Sequence, residues 1–315
     1  MTEISPHEQI WTLMNGALAT RALALVAELR VAEALADGPR PVAEVAEEVG
    51  ASPDALHRLL RALASEGVFV ERDPGVFANT DASELLQTAW GDFAHLFGGV
   101  WYRTMGELDA TGEPSFERAL GTDFWSWLAA HPDERAAFDR SMQQGMEPRV
   151  ERLAALDWRE GETVVDIGGG NGSTLALLLR LRPELRGVVF DLPETVRDEA
   201  ALGERIEFVE GSFFERVPEG DAYILSGILH DWNDEQAAAI LRTIHTAAPP
   251  DARLLIVDGV VESGNEPDGT KWLDLLMLAL LDGRERDEHQ WRELLAAGGF
   301  DPIDIRDGLI QAVPA

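Results

Sequence analysis

The 315-residue chain is long enough to bury a large core and to form two domains. It has no cysteine, which excludes disulfides and thiolate metal sites, and its formal net charge of -31 disfavours nucleic acid and anionic membranes as partners. The longest uninterrupted apolar run near the C-terminal end is Leu275 to Leu281, and Met1 to Gln9 has no apolar core of a signal peptide. We therefore expect a soluble, cytoplasmic protein with no membrane span and no metal site.

A long helix is predicted at the start of the chain. Ser5 can cap it, Pro6 suits its first position, and Glu8 completes a capping box. A helical rhythm of apolar residues then continues to about Leu35. Because a helix of this length has no core of its own, we expect it to form part of a homodimer interface; packing on its own domain is the alternative.

Residues 41–80 predict short helices followed by a hairpin with a turn at Asp73-Pro74-Gly75. This order is a winged-helix pattern, which raises DNA binding as an alternative function. The segment has seven acidic residues and three arginines, so it would repel a phosphate backbone. We therefore expect no nucleic acid partner.

Residues 81–157 are predicted to be helical and are rich in large apolar side chains. Trp101, Phe138 and Met142 belong to this set. Each side chain taken singly suits an ordinary core. As a set they suit a wall against a flat, apolar ligand.

From residue 161 onward, predicted strands and helices alternate, which is typical of a parallel, doubly wound sheet. The strands are predicted at 163–168, 187–192, 206–211, 221–229 and 253–261. Helices near 270–281 and 288–298 are followed by two last strands near 302–306 and 309–313. These two strands would form a hairpin and bring the sheet to seven strands.

A glycine loop separates the first of these strands from the helix after it. Asp166 precedes Gly168, Gly170 and Gly172 in this loop. A strand, a tight turn and a helix N-terminus together present backbone N–H groups to a ligand. The dinucleotide fingerprint Gly-x-Gly-x-x-Gly does not fit the loop, since its last glycine would fall on a serine or a leucine.

Ligands of such sheets bind at the carboxyl ends of the strands. The second strand ends at Asp191, and an acid in this place can accept both hydroxyls of a ribose. The third strand leads to Ser212 beside Phe213, which suits an adenine edge and face. His230 follows the fourth strand and Asp258 the fifth.

These motifs resemble the small-molecule O-methyltransferases, the family of plant caffeate-type enzymes and bacterial polyketide and antibiotic tailoring methyltransferases. The motifs are Asp166-Ile-Gly-Gly-Gly-Asn-Gly172, Asp191-Leu-Pro193, Gly211-Ser-Phe-Phe214, Leu229-His-Asp-Trp232 and Asp282-Gly-Arg-Glu-Arg286. The resemblance covers nearly the whole chain. It implies a Rossmann-like, seven-stranded domain that binds S-adenosylmethionine (SAM) in residues 106–315, with 106–157 as a helical pocket segment. Residues 1–105 would form a mainly helical, winged-helix dimerisation domain.

The resemblance also implies a reaction and the residues that carry it. SAM would methylate a phenolic hydroxyl of an aromatic, polyketide-like secondary metabolite and leave S-adenosylhomocysteine, with His230 as general base flanked by Asp258 and Glu285. The implied cofactor residues are Asp166, Gly168, Gly170, Asp191, Leu192, Ser212, Phe213 and Ser226. The implied acceptor pocket comprises Trp101, Phe138, Met142, Met277 and Leu281. No metal is implied, so activity should survive a chelator.

The chain departs from the family pattern in three places, which involve four residues. Ser212 stands where aspartate is common, and Ser226 with Gly227 stands where a larger cationic residue often occurs. Asp258 is one methylene shorter than the usual glutamate, so either Asp258 or Glu285 is the main partner of His230. The sequence leaves open the acceptor, its methylated hydroxyl or nitrogen, and a SAM-dependent hydroxylation, decarboxylation or pericyclic reaction on the same scaffold. A winged-helix regulator that senses SAM is the alternative of another class.

Overall fold

The computed structural model describes residues 5–193, 195 and 205–315. The chain divides into two compact units, one of Met1–Glu107 with Phe116–Gln144 and one of Leu108–Ser115 with Gly145–Ala315. This division groups Phe116–Gln144 with the first unit, whereas the sequence assigns these residues to a pocket segment of the catalytic domain. The predicted functional boundary after residue 105 stays a prediction. The first four residues, part of the stretch in which we expected no signal-peptide core, lie outside the described residues.

The first unit is mainly helical. Its helices are α1 (Pro6–Glu28), α2 (Val31–Ala34), α3 (Val42–Glu48), α4 (Pro53–Ser65), α5 (Asp81–Glu84), α6 (Ala89–Gly98), α7 (Val100–Met105), α8 (Phe116–Leu120), α9 (Phe124–Ala130) and α10 (Pro132–Met142). Its strands are β1 (Arg40–Pro41), β2 (Phe69–Asp73) and β3 (Val76–Asn79), which pair antiparallel in the order β1-β3-β2. Helices α3 and α4 followed by the β2–β3 hairpin confirm the predicted winged-helix pattern.

Helix α1 begins as predicted and ends earlier than predicted. The Ser5 side chain accepts a hydrogen bond from the Glu8 N–H at 3.3 Å, and the Glu8 carboxylate accepts one from the Ser5 N–H at 2.9 Å. The expectation of one helix to about Leu35 is wrong, because Arg30 has a left-handed φ of 55° that separates α1 from α2. At this break between the two helices, the Arg30 Nε donates a hydrogen bond to Glu33 Oε1 at 2.9 Å.

Helix α1 is apolar over most of its length, although its apolar residues do not form one uninterrupted run. An 18-residue window within its 23 residues has a mean hydropathy of 1.3, enough by length and composition to cross a membrane, and 17% of that window is buried. The expectation that no segment is long enough to span a bilayer is therefore wrong, because uncharged polar residues interrupt the apolar run without making the helix polar. A cytoplasmic location stays a prediction.

The second unit is built on a seven-stranded sheet. Its strands are β4 (Thr163–Ile167), β5 (Arg186–Asp191), β6 (Ile206–Glu210), β7 (Ala222–Ser226), β8 (Arg253–Val257), β9 (Phe300–Arg306) and β10 (Leu309–Pro314). Its described helices are α11 (Met146–Ala154), α12 (Ser173–Leu181), α13 (Asp234–Ala247), α14 (Gly269–Leu280) and α15 (Glu288–Gly298). The strand order is β6-β5-β4-β7-β8-β10-β9, parallel except for β10, which runs antiparallel to both neighbours. The predicted doubly wound sheet with a final hairpin is confirmed.

Strands β4, β5, β7 and β8 are buried on both faces, which explains why their sequences are mostly apolar. Val165 and Ile167 of β4 join a core cluster on one face, whereas Val164 joins a second cluster on the other. Strands β4, β5, β6, β7 and β8 run parallel, so their carboxyl ends meet at one edge. The segments that follow these five ends, together with the segment that carries Glu285, form the candidate active site.

Two of these strands end earlier than the sequence predicts. Strand β7 ends at Ser226 because Gly227, with φ of 67°, turns the chain toward a 3₁₀ turn at Leu229–Asp231. Strand β8 ends at Val257, and beyond it Val260 makes only an isolated bridge to Arg286. The early ends release His230 and Asp258 from the sheet, so their side chains belong to segments that follow the strands.

Candidate active site

The glycine loop after β4 has the backbone conformation that its sequence requires. Gly168, Gly170 and Gly172 have φ of 67°, 57° and 81°, which side-chain-bearing residues rarely adopt. A Cβ on Gly168 would lie 2.6 Å from Ile228 Cδ1, whereas one on Gly170 would meet nothing within 4 Å. Gly168 therefore allows close packing, and Gly170 leaves open space beside the loop.

Asp191, the last residue of β5, holds this loop in place. Its Oδ2 accepts a hydrogen bond from the Gly170 N–H at 2.8 Å. Its Oδ1 accepts from the Leu192 N–H at 2.7 Å and from the Thr195 hydroxyl at 2.9 Å. Each carboxylate oxygen has two lone-pair sites, so Oδ1 is fully used and one site on Oδ2 remains for a ribose hydroxyl. Thr195, which the sequence analysis did not single out, has no motif signal beyond its closeness to Asp191.

Asp166 lies buried at the base of the same loop. Its Oδ2 has no hydrogen-bond partner among the described residues. Burial, reinforced by the charge of Asp191, raises the pKa of Asp166 to about 7. An unpartnered buried carboxyl beside open glycine backbone fits a ligand with its own donor, such as the amino group of a bound amino acid moiety.

Ser212 and Phe213 follow β6 and lie near the loop. A Cβ on Gly168 would be 3.8 Å from Phe213 Cε1, so the Phe213 ring borders the loop. The ring also meets Trp232 edge-on, with centroids 5.9 Å apart. The Ser212 hydroxyl accepts from the Phe214 N–H at 3.3 Å. Ser226, at the end of β7, is half-buried. The structure thus brings the loop, Asp191 and Phe213 to one edge of the sheet, a set that fits SAM.

His230 pairs with Glu285 a short distance along the same edge. The His230 Nδ1 and Glu285 Oε1 atoms are 2.7 Å apart, and the Glu285 side chain is fully buried. Since a carboxylate only accepts hydrogen bonds, Nδ1 carries the proton and Nε2 is the nitrogen left for chemistry. The Asp274 carboxylate accepts from the Glu285 N–H at 2.8 Å and so holds the Glu285 backbone.

Asp258 influences His230 by charge and not through a hydrogen bond. Both of its carboxylate oxygens are buried without a hydrogen-bond partner among the described residues. Burial raises the pKa of Asp258 to about 6 against the opposing charge of His230. Of the two carboxylates that the sequence assigns to His230, Glu285 is the one hydrogen-bonded to it in the described residues.

Asp231 is a further acidic neighbour of the imidazole. Its Oδ1 lies 3.5 Å from His230 Nε2, and burial raises its pKa to about 7. Asp231 belongs to the His-Asp-Trp motif, and the family resemblance implies no role for it. Its place directly after His230 was the available signal.

The three carboxylates together favour the protonated imidazole. Burial lowers the pKa of His230, but the charge of Asp258, the hydrogen bond to Glu285 and the charge of Asp231 outweigh burial and raise it to about 10. His230 is therefore an imidazolium at neutral pH in the protein without ligands. Its proton must leave before Nε2 can act as a base.

The predicted acceptor residues are divided between the two units. In the first unit, Trp101 is buried edge-on to Phe97 at 5.1 Å, and its indole N–H lacks a hydrogen-bond partner among the described residues. Phe138 meets Phe124 edge-on at 5.6 Å, and Met142 is exposed. In the second unit, Met277 is buried in α14 and Leu281 follows that helix half-buried.

No group of three or more His, Cys, Asp or Glu side chains suited to a metal ion occurs in the parts of the chain that the structure describes. The expectation that the enzyme needs no metal stays a prediction.

Comparison with known proteins matches both parts of the chain to described families. An O-methyltransferase domain matches residues 102–301, and an O-methyltransferase dimerisation domain matches residues 11–89. The phenazine O-methyltransferase PhzM of Lysobacter antibioticus is 39% identical over 304 residues, which cover 91% of this chain and 89% of that protein.

Solved structures agree with these matches. The structure of LaPhzM has a TM-score of 0.90 and 36% identity, and the match covers 99% of this chain and 100% of that one. An O-methyltransferase (NcsB1) from neocarzinostatin biosynthesis, solved with S-adenosyl-L-homocysteine and 1,4-dihydroxy-2-naphthoic acid, has a TM-score of 0.78 and 31% identity. That match covers 94% of this chain and 96% of the neocarzinostatin protein.

Proposed function

The chain belongs to the O-methyltransferase family and is a SAM-dependent enzyme, and we propose that it methylates a phenolic hydroxyl of an aromatic, polyketide-like secondary metabolite with His230 as general base. The observation that carries the proposal is the 2.7 Å contact between His230 Nδ1 and Glu285 Oε1. This contact orients the imidazole and leaves Nε2 available for the proton of the acceptor.

The raised pKa of His230 suits a phenol. A phenol has a pKa of about 10 and an ordinary histidine one of about 6.5, so that transfer between them costs roughly 5 kcal/mol. With the pKa of His230 at about 10, the same transfer is nearly balanced. In the free enzyme, however, His230 is protonated. Removing the proton from Nε2 at neutral pH takes roughly 4 kcal/mol at 1.36 kcal/mol per pKa unit. A rate that rises with pH follows from this arrangement.

The proposed cofactor residues are those at the carboxyl edge of β4, β5 and β6. Asp191 would hold the ribose through the remaining site on Oδ2, the open backbone at Gly170 would admit the methionine part, and Phe213 with Ser212 would flank the adenine. The buried carboxyl of Asp166 would meet the amino group. SAM supplies the methyl group on a cationic sulfur. The residues of the chain hold the cofactor, orient the acceptor and accept its proton.

We propose that the side chains that the family resemblance implies contact the acceptor: Trp101, Phe138, Met142, Met277 and Leu281. Flat aromatic acceptors suit such side chains. The unpartnered indole N–H of Trp101 supports an acceptor that carries an oxygen function away from the reacting hydroxyl, because a buried donor without a partner costs about 1–3 kcal/mol.

We also propose a homodimer built on α1. Five large apolar side chains of this helix are more than half exposed: Ile10, Trp11, Leu13, Met14 and Leu18. The dimerisation family matches residues 11–89, which include most of this face. A second copy covering the face would explain its exposure better than a membrane would, and the net charge of -31 disfavours anionic lipid.

Calorimetric titration with S-adenosylhomocysteine tests the cofactor site. We expect micromolar binding by the wild type and at least tenfold weaker binding by Asp191→Ala. The acceptor is then sought with SAM carrying an isotopic methyl group and a panel that includes 1,4-dihydroxy-2-naphthoic acid. Transfer of the label to a phenolic oxygen supports the proposal. A product altered without the label would instead support SAM-dependent tailoring chemistry, and binding without any reaction would support a regulator.

A further inference from the structure

Arg286 is a buried cation that the reaction itself does not use. Its side chain is fully buried, and its Nε lies 2.9 Å from Asp234 Oδ1, a carboxylate with a side-chain exposure of 56%. Its Nη1 donates to the Leu229 carbonyl at 2.9 Å, and its Nη2 donates to the Trp232 carbonyl at 2.9 Å. The guanidinium therefore bonds both sides of the short turn that carries His230.

Arg286 also directly follows Glu285, the partner of His230. Its backbone is fixed independently, because the Arg286 carbonyl accepts from the Val261 N–H at 2.9 Å. On the other side of Glu285, the Arg284 N–H donates to the His230 carbonyl at 2.8 Å. A Cβ on Gly283 would lie 2.1 Å from the same carbonyl, so the two segments press closely together.

The two segments come from distant parts of the sequence, and few groups can join them this way. The planar guanidinium presents several N–H donors in fixed directions, so one side chain can satisfy two carbonyls and a carboxylate. Lysine has a single ammonium on a flexible stem and cannot reproduce this fork. Buried carbonyls without donors would favour movement of the turn toward water.

We propose that Arg286 is the positioning residue that sets the hydrogen bond between His230 and Glu285, by fastening the 229–232 turn to the segment that carries Glu285. The inference rests on the proposed function in so far as His230 is the base of the reaction. Arg286 touches no reacting atom, and it acts through the distance between the two other side chains.

Several charged groups surround the imidazole and Arg286. The charge of Arg286 lowers the pKa of the Asp258 carboxyl, and the Asp258 charge raises the pKa of His230. The other charged groups around the imidazole are Asp231 and Glu285, and Asp274 holds the Glu285 backbone. Loss of the guanidinium should release the turn and weaken the hydrogen bond between His230 Nδ1 and Glu285, and the weaker bond should lower the pKa of His230.

The test compares Arg286→Met with Arg284→Met. Both arginines bond the Asp234 carboxylate, Arg284 at 2.9 Å, but only the Arg286 side chain bonds the carbonyls of the turn. Proton spectra of histidine-labelled protein report the Nδ1–H of His230, assigned through its loss in His230→Gln. We expect Arg286→Met to lose this low-field signal and to lower the pKa of His230 in an NMR titration, and Arg284→Met to leave both unchanged. In turnover with an identified acceptor, kcat should fall about tenfold or more in Arg286→Met with KM for the acceptor little changed.

Arg286→Lys covers the case in which the methionine variant does not fold. This variant keeps the positive charge but loses the planar set of N–H donors that bonds the two carbonyls. We therefore expect the Nδ1–H signal of His230 to weaken in this variant as well. A wild-type signal and a wild-type His230 pKa in either folded Arg286 variant would overturn the proposal. The spectra need neither cofactor nor acceptor. If the wild type transfers no methyl group, the proposed function is contradicted. If Arg286→Met nevertheless loses the Nδ1–H signal, the positioning role of Arg286 still holds.

Discussion

Glu285 Oε1 accepts a hydrogen bond from His230 Nδ1 at 2.7 Å, and this contact decides which imidazole nitrogen is left for the acceptor. The Glu285 side chain is fully buried, whereas that of His230 is 17% exposed. Because the Glu285 carboxylate is shielded from solvent, its charge acts mainly on His230. It orients the imidazole ring and stabilises its protonated form.

We expect Glu285→Gln to lower kcat by about 10²-fold, because the amide keeps the shape and loses the charge that orients and stabilises the imidazolium. Asp258→Asn is the matched control, since Asp258 is buried nearby and makes no hydrogen bond to His230. It should lower the pKa of His230 and reduce kcat less than Glu285→Gln does. Steady-state rates of both variants check this, and a larger loss in Asp258→Asn would mean that the charge of Asp258 matters more than the contact with Glu285.

The activity of the wild type should rise with pH. Because the folded pKa of His230 is about 10, most molecules carry the imidazolium at neutral pH, and each pH unit below that value reduces the neutral base about tenfold. We expect kcat/KM for the acceptor to increase through neutral and mildly alkaline pH and to level off at a lower pH in Asp258→Asn. A profile that is flat from about pH 6 to pH 9 would contradict an imidazole base with a raised pKa.

Much of the sheet could be predicted from the sequence, because its strands are short apolar runs followed by glycine or polar residues. Strand β4 and the loop at Gly168 illustrate this. The sequence predicts that β7 and β8 end later than they do. After β7, Gly227 and the turn at Leu229–Asp231 interrupt a sequence that continues to be apolar. Local pattern does not reveal where tertiary contacts end a strand.

The active-site partnership could be predicted only in part. The motifs named His230, Asp258 and Glu285, but sequence does not give the distance that makes Glu285 the partner in contact. Arg286 is part of a sequence motif, but its hydrogen bonds to the carbonyls of Leu229 and Trp232 become apparent only in the structure. Contacts made by backbone carbonyls leave no signature in the residue types.

Gly168 and Gly170 offer a matched pair in the cofactor loop. Both have positive φ, so alanine should cost about 1–2 kcal/mol at either position. Only at Gly168 would the new Cβ also meet Ile228, at 2.6 Å from Cδ1, which adds an overpacking cost of about 1–3 kcal/mol. Thermal melting of the free proteins should therefore show a larger loss for Gly168→Ala than for Gly170→Ala, and equal losses would show that the loop moves away from Ile228 without strain.

Asp166→Asn should stabilise the protein increasingly as pH rises. The folded pKa of Asp166 is raised from 3.8 to about 7, so the folded protein keeps a proton that the unfolded chain has already released. The wild type consequently loses stability between these two values, and above them it carries the full cost of a buried carboxylate. The difference in Tm between variant and wild type should grow from about pH 5 to about pH 8. A difference that does not change over this range would show that Asp166 ionises as freely as in the unfolded chain.

The most direct measurement is the rate of methyl transfer from labelled SAM to an identified phenolic acceptor by His230→Gln and by the wild type, over a range of pH. A positioned base contributes about 10²–10⁴-fold, and holding the acceptor in line contributes separately. We predict a loss of that size in kcat, a measurable residual rate, and a changed pH dependence in the variant. Equal rates and equal pH profiles in the two proteins would contradict the assignment of His230 as the base.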